Sequence, residues 1–402
     1  MEQAIPKKIV MLVVSLLPLI MVLGNSMFIP LIPTIQSEWQ LTPVQAGLIL
    51  TVFSVPAALS IPFIGFLSDR IGRKRIVLGS LLLLMIGSLF SAVSPNVGAN
   101  FELFLIGRLL QGVGAGGTAP IAMAVVGDLF SGKERSEALG LLEVFNGTGK
   151  VISPIIGGLF AAIFVWYGSF YFYFVVALFV FVCLLNVLKG KRETSKAESI
   201  TMYFQTVVQV FIGKWKWLVP IFFASGIGLF LLFGMLYFLS FELEGVYDIV
   251  GVRKGMYLAV PLLAMALFSY WTGTRIGEDS NRIKKSLFLG AMCIVLAFML
   301  LISFHKLIGV MVWLSVSAAG LGLFLPASNT AVTSSIGENE RGLIVSLYNM
   351  VRFLGVALGP IVFSVWMGNI TEMYYMTFLF SALAILFLIV FWKCVPLFKE
   401  CP

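Results

Sequence analysis

The stretch GFLSDRIGRKR, residues 65–75, sets one acid and four bases between two long apolar runs, Val44–Ile64 and Ile76–Ser94. Each run has about the roughly 20 residues that a helix needs to cross the hydrocarbon layer of a bilayer. Charges are costly inside that layer, so a charged turn between two such helices belongs at a membrane surface. Its glycines let the two helix ends come close together.

Working outward, the same alternation fills the chain. Of 402 residues, 59% are hydrophobic and 11% charged, against about 25% charged in a soluble domain. Four more apolar runs lie in the first half: Ile9–Pro33, Phe101–Val126, Ala138–Phe160 and Ile163–Leu188. Six lie in the second: Trp217–Phe241, Gly255–Gly273, Ser286–Phe304, Leu307–Thr330, Gly342–Met367 and Met373–Trp392. The expectation is an all-α polytopic membrane protein with twelve transmembrane helices in two sets of six. The first run is too long for a signal peptide and carries Pro18, Pro30 and Pro33 instead of a small-residue cleavage site, so it is expected to be retained.

The net charge of +8 is explained by placement. Of 27 Lys and Arg, Arg108, Lys150 and Arg352 fall within spans, and Arg253, Lys254 and Lys306 fall on one side of the membrane. The other twenty-one, Lys7 and Arg70 among them, fall on the opposite side, which the positive-inside rule makes cytoplasmic. Both termini are expected there, in a bacterial plasma membrane, and no nucleic-acid partner is implied. Cys183, Cys293, Cys394 and Cys401 have no metal-ligand spacing, and His305 is the sole histidine. No metal site, cofactor or catalytic residue follows, which argues against an enzyme.

The spans divide into an N-terminal bundle, 1–188, and a C-terminal bundle, 217–402, joined by a linker, 189–216, in which Ile200–Ile212 reads as an amphipathic helix on the membrane surface. A shift of 206 positions superposes the halves. GAGGTAP at 114–120 falls on GLGLFLP at 320–326, Glu134–Arg135 on Glu340–Arg341, and Gly149 and Pro154 on Gly355 and Pro360. Six spans per half preserve orientation, so the repeat is a parallel one, as in transporters with a central cavity.

With these features in hand, the opening stretch resembles the loop signature of the major facilitator superfamily, G-x-L-x-D-R-x-G-R-K, met here by Gly65, Leu67, Asp69, Arg70, Gly72, Arg73 and Lys74. The resemblance implies a cytoplasmic gate, in which Asp69 accepts bonds from a helix N-terminus or from an arginine across the bundle interface. GRLLQGVGAGG at 107–117 resembles a second family signature, in which the buried arginine, Arg108, followed by Gln111, is associated with proton movement. GKVISPIIGG at 149–158 resembles the family's antiporter signature through Gly149, Pro154, Gly157 and Gly158, with Ser153 where glycine is usual.

Glu143, Asn146 and Lys150 are spaced three and four apart, along one face of the fifth span. Asn349 and Arg352 of the eleventh span occupy the slots of Glu143 and Asn146 under the shift. With Asn25 and Gln111, these residues are expected at a substrate cavity whose mid-span charges are mostly positive. The resemblance implies a proton-driven efflux antiporter of the twelve-span drug:proton type, working by alternating access. Glu143, Arg108 and Asp69 are the proton-coupling candidates, and the protein is expected to act as a monomer without cofactor. The cationic cavity leaves open a dedicated exporter of an anionic or zwitterionic metabolite or metallophore. From another class, a non-transporting receptor or scaffold stays open, although it would need neither gate nor antiporter helix.

Overall fold

The computed structural model describes residues 6–188, 200–277, 279–335 and 338–391. Residues 189–199 of the linker, Glu278, Cys394 and Cys401 lie outside the described residues, as do the side chains of Glu340 and Arg341. Among the described residues the regular structure is helical throughout.

The first half holds α1 (Lys7–Ser26), α2 (Ile32–Trp39), α3 (Pro43–Ile71), α4 (Arg73–Val93), α5 (Phe101–Gly116), α6 (Ala119–Leu129), α7 (Gly132–Ile163) and α8 (Gly168–Val187). The second holds α9 (Ile200–Gly245), α10 (Gly251–Ile276), α11 (Ser280–Ser303), α12 (Leu307–Ser334), α13 (Glu338–Trp366) and α14 (Ile370–Val390). Among the described residues, helices α1 and α2 form one interrupted rod and α5 and α6 another, so the fourteen helices make twelve rods. Eleven of the rods are long and apolar enough to cross a membrane. The other is α7, which carries the polar stripe.

Several helix starts follow from local chemistry. Thr42 and Gln45 form a reciprocal capping box ahead of Pro43, with Gln45 N donating to Thr42 Oγ1 at 3.3 Å and Thr42 N donating to Gln45 Oε1 at 2.9 Å. Asn100, Asp279 and Asn369 cap α5, α11 and α14 through their side-chain oxygens. The interruptions are local too. Pro30 and Pro33 lack amide hydrogens, and the chain between α1 and α2 passes through a short 3-10 turn, Ile29–Leu31. Gly116, Gly117 and Pro120 open α5 from α6, whereas the repeat partner α12 runs unbroken through Pro326.

Helix α9 differs from the expectation. Ile200–Ile212 is helical but continuous with the seventh span, in a single helix of 46 residues. That is roughly 70 Å at 1.5 Å per residue, far longer than the hydrocarbon layer needs.

Two compact units emerge, one of Met1–Ala197 with Ser240–Ala259 and one of Glu198–Leu239 with Val260–Pro402. The end of α9 and the start of α10, within Ser240–Ala259, group with the first unit. Within each unit the repeat is visible in packing. Gly114 of α5 sits against the Ser80 carbonyl of α4, and its counterpart Gly320 of α12 sits against the Gly290 carbonyl of α11. Close approach at these small residues replaces the hydrophobic driving force that helices lack in lipid. On α4, Leu82, Ile86, Leu89, Phe90 and Val93 are exposed at helical spacing, an apolar stripe that suits a lipid-facing surface.

Candidate functional site

At the basic turn, Gly72 alone separates α3 from α4, with φ 102° and ψ 139°, a conformation open to glycine and strained for other residues. The tight turn presents Arg73 as a hub. Its Nη2 meets Asp69 Oδ1 at 2.5 Å, its Nε donates to Asp128 Oδ2 at 3.0 Å, and its Nη1 donates to Ser68 Oγ at 2.5 Å. Lys74 Nζ donates to the Leu185 carbonyl at 2.8 Å, and the Arg70 guanidinium lies 4.2 Å from the Phe66 ring centre. The turn is thereby tied to α6 and α8 of its own unit. Asp69 takes its arginine from its own turn, where the sequence suggested a partner across the bundles. Asp128, at the last turn of α6, is a member of this cluster that no sequence motif announced.

Arg108 on α5 is completely buried. Its Nε donates to the Ile49 carbonyl at 2.9 Å, its Nη2 to the Gly24 carbonyl at 3.1 Å and its Nη1 to Gln111 Oε1 at 2.6 Å. Gln111 Nε2 continues to Ser88 Oγ at 3.2 Å, and the rings of Phe28 and Phe53 lie 4.6 Å from the guanidinium carbon. Ending α1 ahead of Pro30 helps create this arrangement. Phe28 N turns to the Asn25 carbonyl at 3.3 Å, which leaves the Gly24 carbonyl available to the arginine. Arg108 thus ties α1, α3 and α5 together through neutral acceptors and ring faces, and no described acid pairs with it. Gln111 is fully buried in this network, and Asn25, 4% exposed, accepts from Ser54 Oγ at 3.4 Å. Both residues, expected at a cavity, lie inside the first unit.

The antiporter signature forms a seam. Gly149 is in contact with Leu19 and Val22 of α1, and Gly157 lies against the Met27 carbonyl and Pro30. Gly158 lies against the Gly251 carbonyl, and Gly255 against the Pro154 carbonyl, so the two helix backbones of α7 and α10 touch. A Cβ at Gly158 or Gly255 would overlap those main-chain atoms. Ser153 fits without glycine because its buried hydroxyl donates to the Gly149 carbonyl one turn back.

Next to this seam lies a pair that sequence reasoning missed. Lys254, assigned to a loop, is 2% exposed in the first turn of α10, and its Nζ meets Glu244 Oε2 of α9 at 2.5 Å. Nearby on α9, Ser240 Oγ donates to the Ile29 carbonyl at 2.9 Å. Lys254 and Glu244 are ten residues apart, outside any helical period, so no local signal pairs them.

On α7, Glu143 is exposed and makes no hydrogen bond or ion pair with a described residue. Asn146 is half-buried with Oδ1 lacking a partner, and Lys150 is half-buried. In the second unit, Arg352 Nη1 donates to Asn349 Oδ1 at 3.3 Å, and the guanidinium lies 5.3 Å from the Tyr348 ring centre. Tyr348 is fully buried, its hydroxyl 3.0 Å from Ser225 Oγ on α9 and 2.5 Å from Ser328 Oγ on α12. The 206 shift maps Tyr348, Ser225 and Ser328 onto Leu142, Leu19 and Ala122, so this polar triad is absent from the other half of the repeat. Among the described residues no group of His, Cys, Asp and Glu is arranged to hold a metal.

Known proteins share this architecture. The profile of the Major Facilitator Superfamily matches residues 14–360, with a second match over 254–398. The chain is 38% identical over 380 residues to the Bacillibactin exporter of Bacillus subtilis (strain 168), covering 94% of each protein. It is 27% identical over 357 residues to Multidrug resistance protein 1 of the same organism, covering 85% of each. The crystal structure of the human organic anion transporter MFSD10 (TETRAN) superposes with a TM-score of 0.72 at 21% identity, over 96% of this chain and 99% of that one. Two six-rod halves related by a parallel repeat, and a family match running through both, lead to one conclusion: the chain belongs to the Major Facilitator Superfamily and is a transporter, not an enzyme.

Proposed function

We propose that this protein is a proton-coupled exporter of one small anionic or zwitterionic metabolite or metallophore, working by alternating access with both termini in the cytoplasm of a bacterial cell. The observation that carries this reading is the 38% identity, across 94% of both chains, to a protein named for the export of a single compound. The mid-span charges left after the saturated Arg108 agree with it, because Lys150 and Arg352 outnumber Glu143, whereas a cavity for lipophilic cations needs the opposite sign. Proton coupling draws support from the antiporter seam of α7 and α10 and from Glu143 of α7, an exposed carboxyl with no partner among the described residues. The energy source on this reading is the proton gradient, with no cofactor and a single chain as the working unit.

Broad multidrug efflux is the second reading, favoured by the 24–27% identity to Multidrug resistance protein 1 and Multidrug transporter protein MdtP of Bacillus subtilis. One experiment separates the two. Purified protein in proteoliposomes with an imposed pH gradient is offered bacillibactin and, separately, ethidium. The dedicated reading expects transport of bacillibactin unaffected by ethidium. Transport of ethidium alone would replace it with the multidrug reading, and flux indifferent to the pH gradient would remove proton coupling from both.

A further inference from the structure

Arg73, Arg108, Lys254 and Arg352, all buried or half-buried, differ in how their charge is compensated. Arg108 is completely buried and saturated, with three acceptors and three rings within reach. Lys254 is buried and paired with Glu244. Arg73, at its helix end, bridges two carboxylates. Arg352 is the exception. Its described protein contacts are one amide oxygen, Asn349 Oδ1 at 3.3 Å, and one ring, that of Tyr348. No described acid is paired with it, and its Nε is buried without an acceptor.

A guanidinium carries five N–H donors in a planar fork. Leaving a cation this poorly compensated in an apolar helix is unfavourable, and so is burying a donor without an acceptor. An arginine kept for packing alone would be expected to resemble Arg108. The surroundings of Arg352 also hold it in place. The Tyr348 hydroxyl is held by serines on two other helices, its ring centre lies 5.3 Å from the guanidinium carbon, and of the fork's nitrogens Nη1 alone has an acceptor among the described residues. A fixed, half-buried fork with spare parallel donors matches a planar two-oxygen anion better than a point charge or a neutral group.

We infer that Arg352 is the anion-receiving group of the second unit. Its fork takes a carboxylate or a similar two-oxygen anion of the cargo, with Tyr348 and Asn349 as positioning residues. This rests on the reading of the cargo as anionic and assigns that preference to one side chain.

The test uses full-length protein in lipid nanodiscs and two fluorescent probes of nearly the same shape, 1-pyrenecarboxylate and 1-pyrenecarboxamide, corrected for uptake by empty nanodiscs. Wild type is expected to bind the carboxylate about tenfold tighter than the amide, a difference of about 1.4 kcal/mol. Arg352→Gln should bring the two affinities together while leaving the amide's unchanged, which also shows that the variant is folded. Arg352→Lys, which keeps the charge and loses the fork, should fall between. Tyr348→Phe, which frees the ring from both serines, should reduce the carboxylate preference without touching amide binding. Should Arg352→Gln keep the full preference, the assignment to Arg352 is wrong while an anionic cargo still stands, and Lys150 inherits the role. Equal affinities in wild type would overturn the assignment and the anionic reading together.

Discussion

Lys254 and Glu244 form an ion pair of 2.5 Å across the turn that joins α9 to α10, with the lysine 2% exposed and the glutamate side chain 30% exposed. The asymmetry of burial sets the consequence of breaking the pair. Glu244→Gln strands a buried ammonium, and such losses run to about 3–5 kcal/mol. Lys254→Met leaves a carboxylate that water can still reach, and the expected loss is about 1 kcal/mol. The double variant Glu244→Leu with Lys254→Met should lie near wild type. Thermal unfolding in detergent ranks the three, and equal losses for the two single variants would refute the argument.

The seam between α7 and α10 should reject any added methyl group. Gly158→Ala places a Cβ against the Gly251 carbonyl and Gly255→Ala places one against the Pro154 carbonyl. Overpacking of this kind costs about 1–3 kcal/mol, and it should also raise proton leak through the reconstituted protein. Gly140→Ala on the same helix, where nothing lies within 4 Å, serves as the control and should be neutral or stabilising. A control as damaging as the seam variants would show that close approach is not the cause.

Arg108 is expected to act as a tie between helices. Arg108→Lys keeps a positive charge but cannot reach the Ile49 and Gly24 carbonyls and Gln111 together. It should lose about 2 kcal/mol or more of stability, with transport falling in parallel. A variant that melts like wild type and shifts only the pH profile of transport would return Arg108 to a proton-handling role.

Glu143→Gln is expected to abolish export driven by a pH gradient while leaving exchange of bacillibactin across the membrane measurable, because the amide keeps the shape and removes the titration. Export that persists unchanged in proteoliposomes would move the search for the proton-coupling group to Asp69 or Lys150.

Much of this architecture is readable without coordinates. The apolar runs and the charged turn at 65–75 are legible along the chain, whereas the caps at Thr42, Asn100, Asp279 and Asn369 emerge with the fold. The glycines at 149, 157 and 158 were legible as small residues at a helix contact, but not which backbone they would meet. Asn25 and Gln111, expected at a cavity, are buried and hydrogen-bonded within the first unit, because depth along a span says nothing of which way a side chain turns. The long helix α9 escaped as well, since amphipathicity in 200–212 speaks of a surface but not of whether the helix bends there.

The sequence by itself determined the polytopic helical class and the family signatures. A bilayer is a uniform solvent that tests each segment separately for length and apolarity, and such sums can be taken along the chain. Tertiary structure decided how each charge is compensated: Arg108 by the carbonyls of Gly24 and Ile49, Lys254 by Glu244, Arg73 by Asp69 and Asp128, and Arg352 by little more than Asn349 and a ring. Compensation over a few ångströms depends on which helix faces stand together, and Gly24, Ile49 and Asp128 lie more than fifty residues from the arginines they meet.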